Sequence, residues 1–245
     1  MTEAKNQKEI EIMKKAGHIS AKAVDLVVKN IKPGVTLLEL DQIAYDFIVS
    51  NGGKPSFMTV DDYKFTTCIN VNSGIVHGIP NHYKVIRGDV VSIDLGTMID
   101  GLHSDISYTV EVETHNHKRF LDIGKKALND AIKMCKAGNR IGDVSNAMQQ
   151  VIEKHGFSVS RDLVGHGIGY ELHEDPYVPC YGKKGTGPVL FTGMTIAVEV
   201  IYQYGKPEIV VLSDDWTIAT ADGSISGLFE HTVLVTSKGP LILTK

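Results

Sequence analysis

Asp94 and Asp105 interrupt segments that otherwise carry the apolar residues of buried strand, in the stretch DVVSIDLGTMIDGLHSDISYTV (residues 89–110). Asp100-Gly101, set between two alternating runs, reads as the two-residue turn of a hairpin. In that register Ile99 faces Leu102, Met98 faces His103, Thr97 faces Ser104 and Gly96 faces Asp105. Asp94 lies two residues from Gly96, so both carboxylates fall on one face as diagonal neighbours. Such neighbours sit roughly 7 Å apart. Two unpaired carboxylates at that spacing in an apolar sheet are costly, and the chemistry they point to is cation binding.

The elements around this hairpin come in related pairs. Over residues 8–31 the positions Ile10, Met13, Ile19, Ala23, Val24, Val27 and Val28 keep helical spacing until Lys32-Pro33-Gly34. Thr36 and Glu39 form a capping box for a second helix, closed by Asn51-Gly52-Gly53. Residues 118–156 repeat this pair at a shift of 104, matching Lys32 with Lys136, Gly34 with Gly138 and Gly52 with Gly156 as well as the apolar positions. The chain therefore reads as one domain over residues 1–245, built from units at approximately 8–112 and 116–240. On that alignment Asp94 corresponds to Glu199 and Asp105 to Glu230, and a two-fold packing brings four acids to a shared axis.

Between the two acid pairs lies VGHGIGYELHEDP (residues 164–176), where glycines on both sides of His166 let backbone or ligand approach the imidazole closely. One nitrogen and four carboxylates suffice for two divalent ions if some carboxylates are shared. The oxygen-rich set suits manganese, cobalt, iron or catalytic zinc and disfavours a thiolate-held structural zinc.

Composition narrows the class. Of 245 residues, 42% are hydrophobic and 22% charged, and no apolar run approaches the ~18 residues of a spanning helix. A net charge of −4 gives no general nucleic-acid surface. The opening MTEAKNQKEIEIMKKAG lacks an apolar signal core, and Cys68, Cys135 and Cys180 form no CxxC, so a reducing cytoplasm is expected.

The order Asp, Asp, His, Glu, Glu in the contexts SIDLG, HSDIS, GHGIG, VEV and FEHT resembles the type 1 methionine aminopeptidases, in the pita-bread family that includes prolidase, aminopeptidase P and creatinase. The likeness spans essentially the whole chain. It implies an α+β pita-bread fold of two pseudo-symmetric halves, with mostly antiparallel sheet and flanking helix pairs. It also implies a metalloaminopeptidase that hydrolyses N-terminal methionine from nascent proteins and peptides by a water activated between two divalent metal ions. By motif, Asp94 is implied to chelate one metal, Asp105 and Glu230 to bridge, and His166 and Glu199 to hold the other. Glu199 is the implied proton shuttle. His77 and His173 are implied substrate contacts, and Tyr63, Cys68 and Trp216 line a methionine pocket. The implied partner is the N-terminal peptide of a nascent chain, met in association with ribosomes, and the enzyme is expected to be a monomer without membrane or nucleic-acid partners.

Two rivals share the resemblance, an X-Pro peptidase and a catalytically inactive binding scaffold. The former normally carries a large N-terminal domain, whereas here the first helix begins within ten residues, and the latter loses ligands that are intact here. Three positions depart from the family pattern: Val200 stands for Pro, Leu228 for Gln and Val60 for Tyr. The expectation is that Val60 and Leu228 leave the methionine slot less closely defined. His103 reads as a rim or supporting residue, His231 points to the opposite strand face, and His18, His82, His115, His117 and His155 read as surface.

Overall fold

The computed structural model describes residues 3–245. Its first half runs α1 (Gln7–Asn30), α2 (Leu37–Ser50), β1 (Lys54–Pro55), β2 (Thr67–Val71), β3 (Gly74–Val76), β4 (Val90–Ile99) and β5 (Leu102–Glu111). The second runs α3 (Lys118–Ile132), α4 (Ile141–Lys154), β6 (Ser158–Val159), β7 (Val164–Gly167), β8 (Glu174–Pro179), β9 (Thr195–Gln203), β10 (Ile209–Val211), β11 (Ile218–Thr220), β12 (Ser226–Thr236) and β13 (Gly239–Ile242). Among the described residues no helix is long and apolar enough to cross a membrane.

Helix starts follow local chemistry. Thr36 accepts from Glu39 N while Glu39 accepts from Thr36 N, satisfying two otherwise unpaired donors. Asn6 and Glu9 do the same for α1, a cap that the expected start at residue 8 had passed over. α2 and α4 end before Gly52 and Gly156, whose φ values of 79° and 84° suit the left-handed turn that closes a helix.

The repeat extends from helices to strand pairing. α2 and α4 share a displacement of 104 residues (37 to 141), as do β1 and β6 (54 to 158). Lys54 pairs with Met98 and Ser158 with Gln203, so β1 meets β4 as β6 meets β9. In the first half β4 carries β1 and β2 on one edge and β5 on the other; in the second the order is β13-β12-β9-β7-β8, with β6 also on β9. A small sheet, β10-β11-β3, ties the halves together. One core belongs to the first half, around Leu40, Ile48, Ile93 and Leu95. A second lies mainly in the other half, around Phe120, Met148, Tyr202 and Phe229.

The hairpin register is as expected, with Ile99 opposite Leu102 and Gly96 opposite Asp105. The equivalence of Asp105 with Glu230 is corrected. Asp94 faces Ser107, whereas Glu199 faces Glu230, so Ser107 is the register counterpart of Glu230 and Leu228 that of Asp105. The alignment slipped by two residues, which keeps each side chain on its face, because the second hairpin is interrupted by β10 and β11 and no short turn fixes its register.

Where β5 meets β12 the halves are joined by a pair of threonine clamps. Thr109 Oγ1 accepts from Leu228 N at 2.9 Å and donates to Leu228 O at 2.7 Å. Thr232 Oγ1 accepts from Asp105 N at 2.8 Å and donates to Asp105 O at 2.8 Å. Thr109 and Thr232 occupy matching register positions, so one contact appears twice across the pseudo-dyad, once holding a leucine and once holding an acid.

Candidate active site

Each central strand contributes to one cavity of about 350 Å³. β4 supplies Asp94, β5 Asp105, β7 His166, β9 Glu199 and β12 Glu230, while His77 follows β3 and His173 precedes β8. Tyr63, Cys68 and Trp216 line the same cavity, so the structure brings together all ten residues singled out from sequence. Gly165 and Gly167 are needed for this packing. A Cβ would lie 2.5 Å from Ala197 O at the first and 2.1 Å from Asp175 O at the second.

At the floor, one ligand atom each from Asp105, His166 and Glu230 lies within 4.8 Å of the others. Glu199 Oε1 is 3.8 Å from His166 Nε2. Nδ1 of His166 lies 2.8 Å from Gly167 O, which can only accept, so Nδ1 carries the proton and Nε2 presents a lone pair to the acids. Burial holds the His166 pKa down to about 3, with neighbouring His173 acting in the same direction.

The acids are poised for a cation. Burial pushes Asp94, Asp105, Glu199 and Glu230 above the usual carboxylate range, and the neighbouring carboxylates push Asp105, Glu199 and Glu230 further. Ser107 Oγ lies 2.7 Å from both Asp94 Oδ1 and Glu230 Oε2. With one hydroxyl proton it can donate to only one, so the second contact requires a protonated carboxyl. Glu230 Oε1 is buried and finds no hydrogen-bond partner among the described residues. An orphaned carboxylate oxygen, neighbours that must share protons and a free imidazole lone pair fit a divalent-metal site.

Above the floor is an apolar slot. Tyr63 and Trp216 ring centroids are 5.1 Å apart, Tyr63 donates to Thr67 O at 2.7 Å, and Cys68 Sγ donates to Tyr63 Oη at 3.2 Å. Burial raises both the Tyr63 and the Cys68 pKa, keeping them neutral. Val60 lines the slot, but Leu228 does not: it is buried in the second-half core and clamped to Thr109. The expectation that Leu228 loosens the slot is therefore corrected, because its register position turns it into the seam between β5 and β12. Val200 is likewise core and opposes Phe229.

His103 is not at the rim either; it is buried with Nδ1 3.0 Å from Ser56 Oγ, outside the cavity. His231 turns away as expected, its Nδ1 3.0 Å from Thr244 Oγ1. Phe57, Leu172 and Ile201 line the cavity and went unnoticed in the sequence, although Ile201 could have been found two residues beyond Glu199 on the same strand face.

The model of metallopeptidase family M24 matches residues 11–237. Methionine aminopeptidase of Clostridium perfringens is 41% identical over 242 residues, covering 98% of this chain and 97% of that relative. Methionine aminopeptidase 1 of Bacillus subtilis is 39% identical, covering 98% of each. The crystal structure of methionine aminopeptidase from Thermotoga maritima superposes over all of both chains with a TM-score of 0.97 and 44% identity. Prolidase from Pyrococcus furiosus gives 0.80 at 28% identity, with 99% of this chain matching 65% of that one.

Proposed function

This chain belongs to metallopeptidase family M24, and we propose that it removes N-terminal methionine from proteins and peptides by metal-dependent hydrolysis. The observation that carries this reading is a cluster of buried acids and one imidazole at the floor of a slot lined by Tyr63, Cys68 and Trp216. The floor can hold the substrate's N-terminal amine and scissile bond while the slot takes an unbranched apolar side chain.

Asp94, Asp105, His166, Glu199 and Glu230 would hold two divalent ions, with Asp105 and Glu230 shared; cobalt, manganese, iron and zinc all suit this donor set. When bound, such ions polarise the scissile carbonyl and bring the pKa of water toward neutrality. Glu199 takes a proton from the attacking water and returns it to the departing amine. His77 and His173 are kept neutral by burial, with each other's proximity adding to the effect at His77. As neutral imidazoles they can donate an N–H to the oxygen that gains charge. The slot fixes the methionine side chain and so orients the bond to be cut.

The proposed ligand set is complete within one chain, so a monomer would be competent, and three free buried cysteines suit a reducing cytoplasm in which nascent chains are the substrate. The test is hydrolysis of Met-Ala-Ser, Ala-Ala-Ser and Met-Pro peptides by metal-reconstituted protein. Met-Ala-Ser is expected to be cleaved far faster than Ala-Ala-Ser and at least as well as the Met-Pro peptide. Preference for the Met-Pro peptide would replace this reading with an X-Pro peptidase, and inactivity on all three would favour a binding scaffold.

A further inference from the structure

His77 has a φ of 59°, in the left-handed region where a residue with a side chain is strained unless its surroundings fix it. The chain delivers it from a loop, between the end of β3 at Val76 and Gly78. Three contacts hold the residues flanking His77, and a longer one, from Ile79 N to Thr217 Oγ1 at 3.4 Å, follows just beyond. Val76 pairs with Ile218 of β11, Gly78 O accepts from Ile69 N at 2.9 Å, and Gly78 N donates to Asn70 Oδ1 at 2.9 Å. The first two are main-chain contacts that do not depend on side-chain identity. The third depends on one side chain.

Asn70 is 2% exposed, in β2 opposite Ser92 of β4. Its Nδ2 finds no partner among the described residues, so the fold uses only its acceptor. A buried donor left unpaired is unfavourable, and here it accompanies a single bond, to the N–H next to His77. Gly78 is seated directly on β2: a Cβ there would be 2.3 Å from Ile69 O and 2.6 Å from Asn70 Oδ1. A side chain at this position would have no room against β2.

We propose that Asn70 is a positioning residue for the reaction: by fixing the Gly78 N–H it holds His77 in the left-handed conformation that places its imidazole in the cavity. The kinetic consequence rests on the assignment of His77 to the substrate. Asn70→Leu removes both amide groups at similar volume, and Asn70→Ala removes them at smaller volume. Both should retain metal content and lose on the order of 10- to 100-fold in kcat, with a smaller change in KM. In a His77→Ala background neither should cause further loss, and the NMR signal of the His77 ring in the metal-free protein should shift or broaden in both.

Losses that multiply with that of His77→Ala would overturn the proposal. So would an unchanged His77 ring signal, or failure of both Asn70 variants to fold, which would make Asn70 a stability residue. A His77→Ala protein with full activity would instead remove the substrate assignment, while the ring signal still decides whether Asn70 positions His77.

Discussion

His173 lines the cavity beside His166, ring centroids 4.4 Å apart, without entering the carboxylate cluster. Removing it should separate catalysis from metal binding. His173→Ala is expected to keep its metals and lose about 10²-fold in kcat, the scale of one lost transition-state donor; metal analysis beside kinetics checks this, and stoichiometric loss of metal would make His173 a ligand. The slot can be probed by the substrate instead. With Val60 on its wall and Leu228 turned into the core, looseness rests on Val60 alone. Apolar pockets discriminate one methylene by only ~1–3 kcal/mol, so N-terminal norleucine and leucine should be cleaved measurably, with methionine preferred and alanine poor. Comparing kcat/KM in one peptide series tests this, and alanine cleaved as fast as methionine would refute a methionine slot. Acids and histidines were legible in the sequence because such residues are out of place in apolar strands. Ser107, Asn70 and the clamping threonines were not, since a hydroxyl or amide in a strand announces nothing until its partner is known.

At the level of elements, the two threonine clamps predict a contrast. Thr109→Val and Thr232→Val keep shape but leave a buried N–H and C=O unpaired, so each should cost about 1–3 kcal/mol, read as a lower Tm. Only Thr232 grips the main chain of Asp105. Thr232→Val should therefore also weaken metal affinity, while Thr109→Val, acting on Leu228, should leave it near wild type. Equal metal affinity in the two variants, by titration calorimetry, would show that the clamp does not set the Asp105 position. Helices and the first hairpin could be read because caps, helix-ending glycines and a two-residue turn fix them locally. The second hairpin could not, because its register is set by pairing across an insertion rather than by a turn.

For the molecule as a whole, the buried acids make stability depend on pH in a direction opposite to the common one. Their folded pKa values are raised, Asp94 from 3.8 to about 7. Their stabilising contribution is thus present at low pH and is lost as pH rises from the unfolded values through the folded ones, by about 1.4 kcal/mol per pH unit for each proton of difference. His77, His166 and His173, with lowered values, act oppositely, adding stability as pH rises toward 6.5. Above 6.5 the histidine contribution to this pH dependence fades as the unfolded imidazoles lose their protons, and the carboxylates dominate. Chelated protein should therefore lose Tm between pH 6.5 and 8.5, whereas metal-loaded protein should not, because bound cations hold the acids ionised. Parallel Tm profiles for the two forms would refute metal binding at these acids.

Neither half owns a complete site. Asp94, Asp105, His77, Tyr63 and Cys68 come from one, and His166, His173, Glu199, Glu230 and Trp216 from the other, with residues 112–117 as the link between them. In the language of circuits the seam is an AND gate. Severed in that link and expressed as two polypeptides, each with its own core, the chain should release methionine only where the fragments meet. Fused to two other proteins, the halves would turn a peptidase signal into a reporter of their encounter.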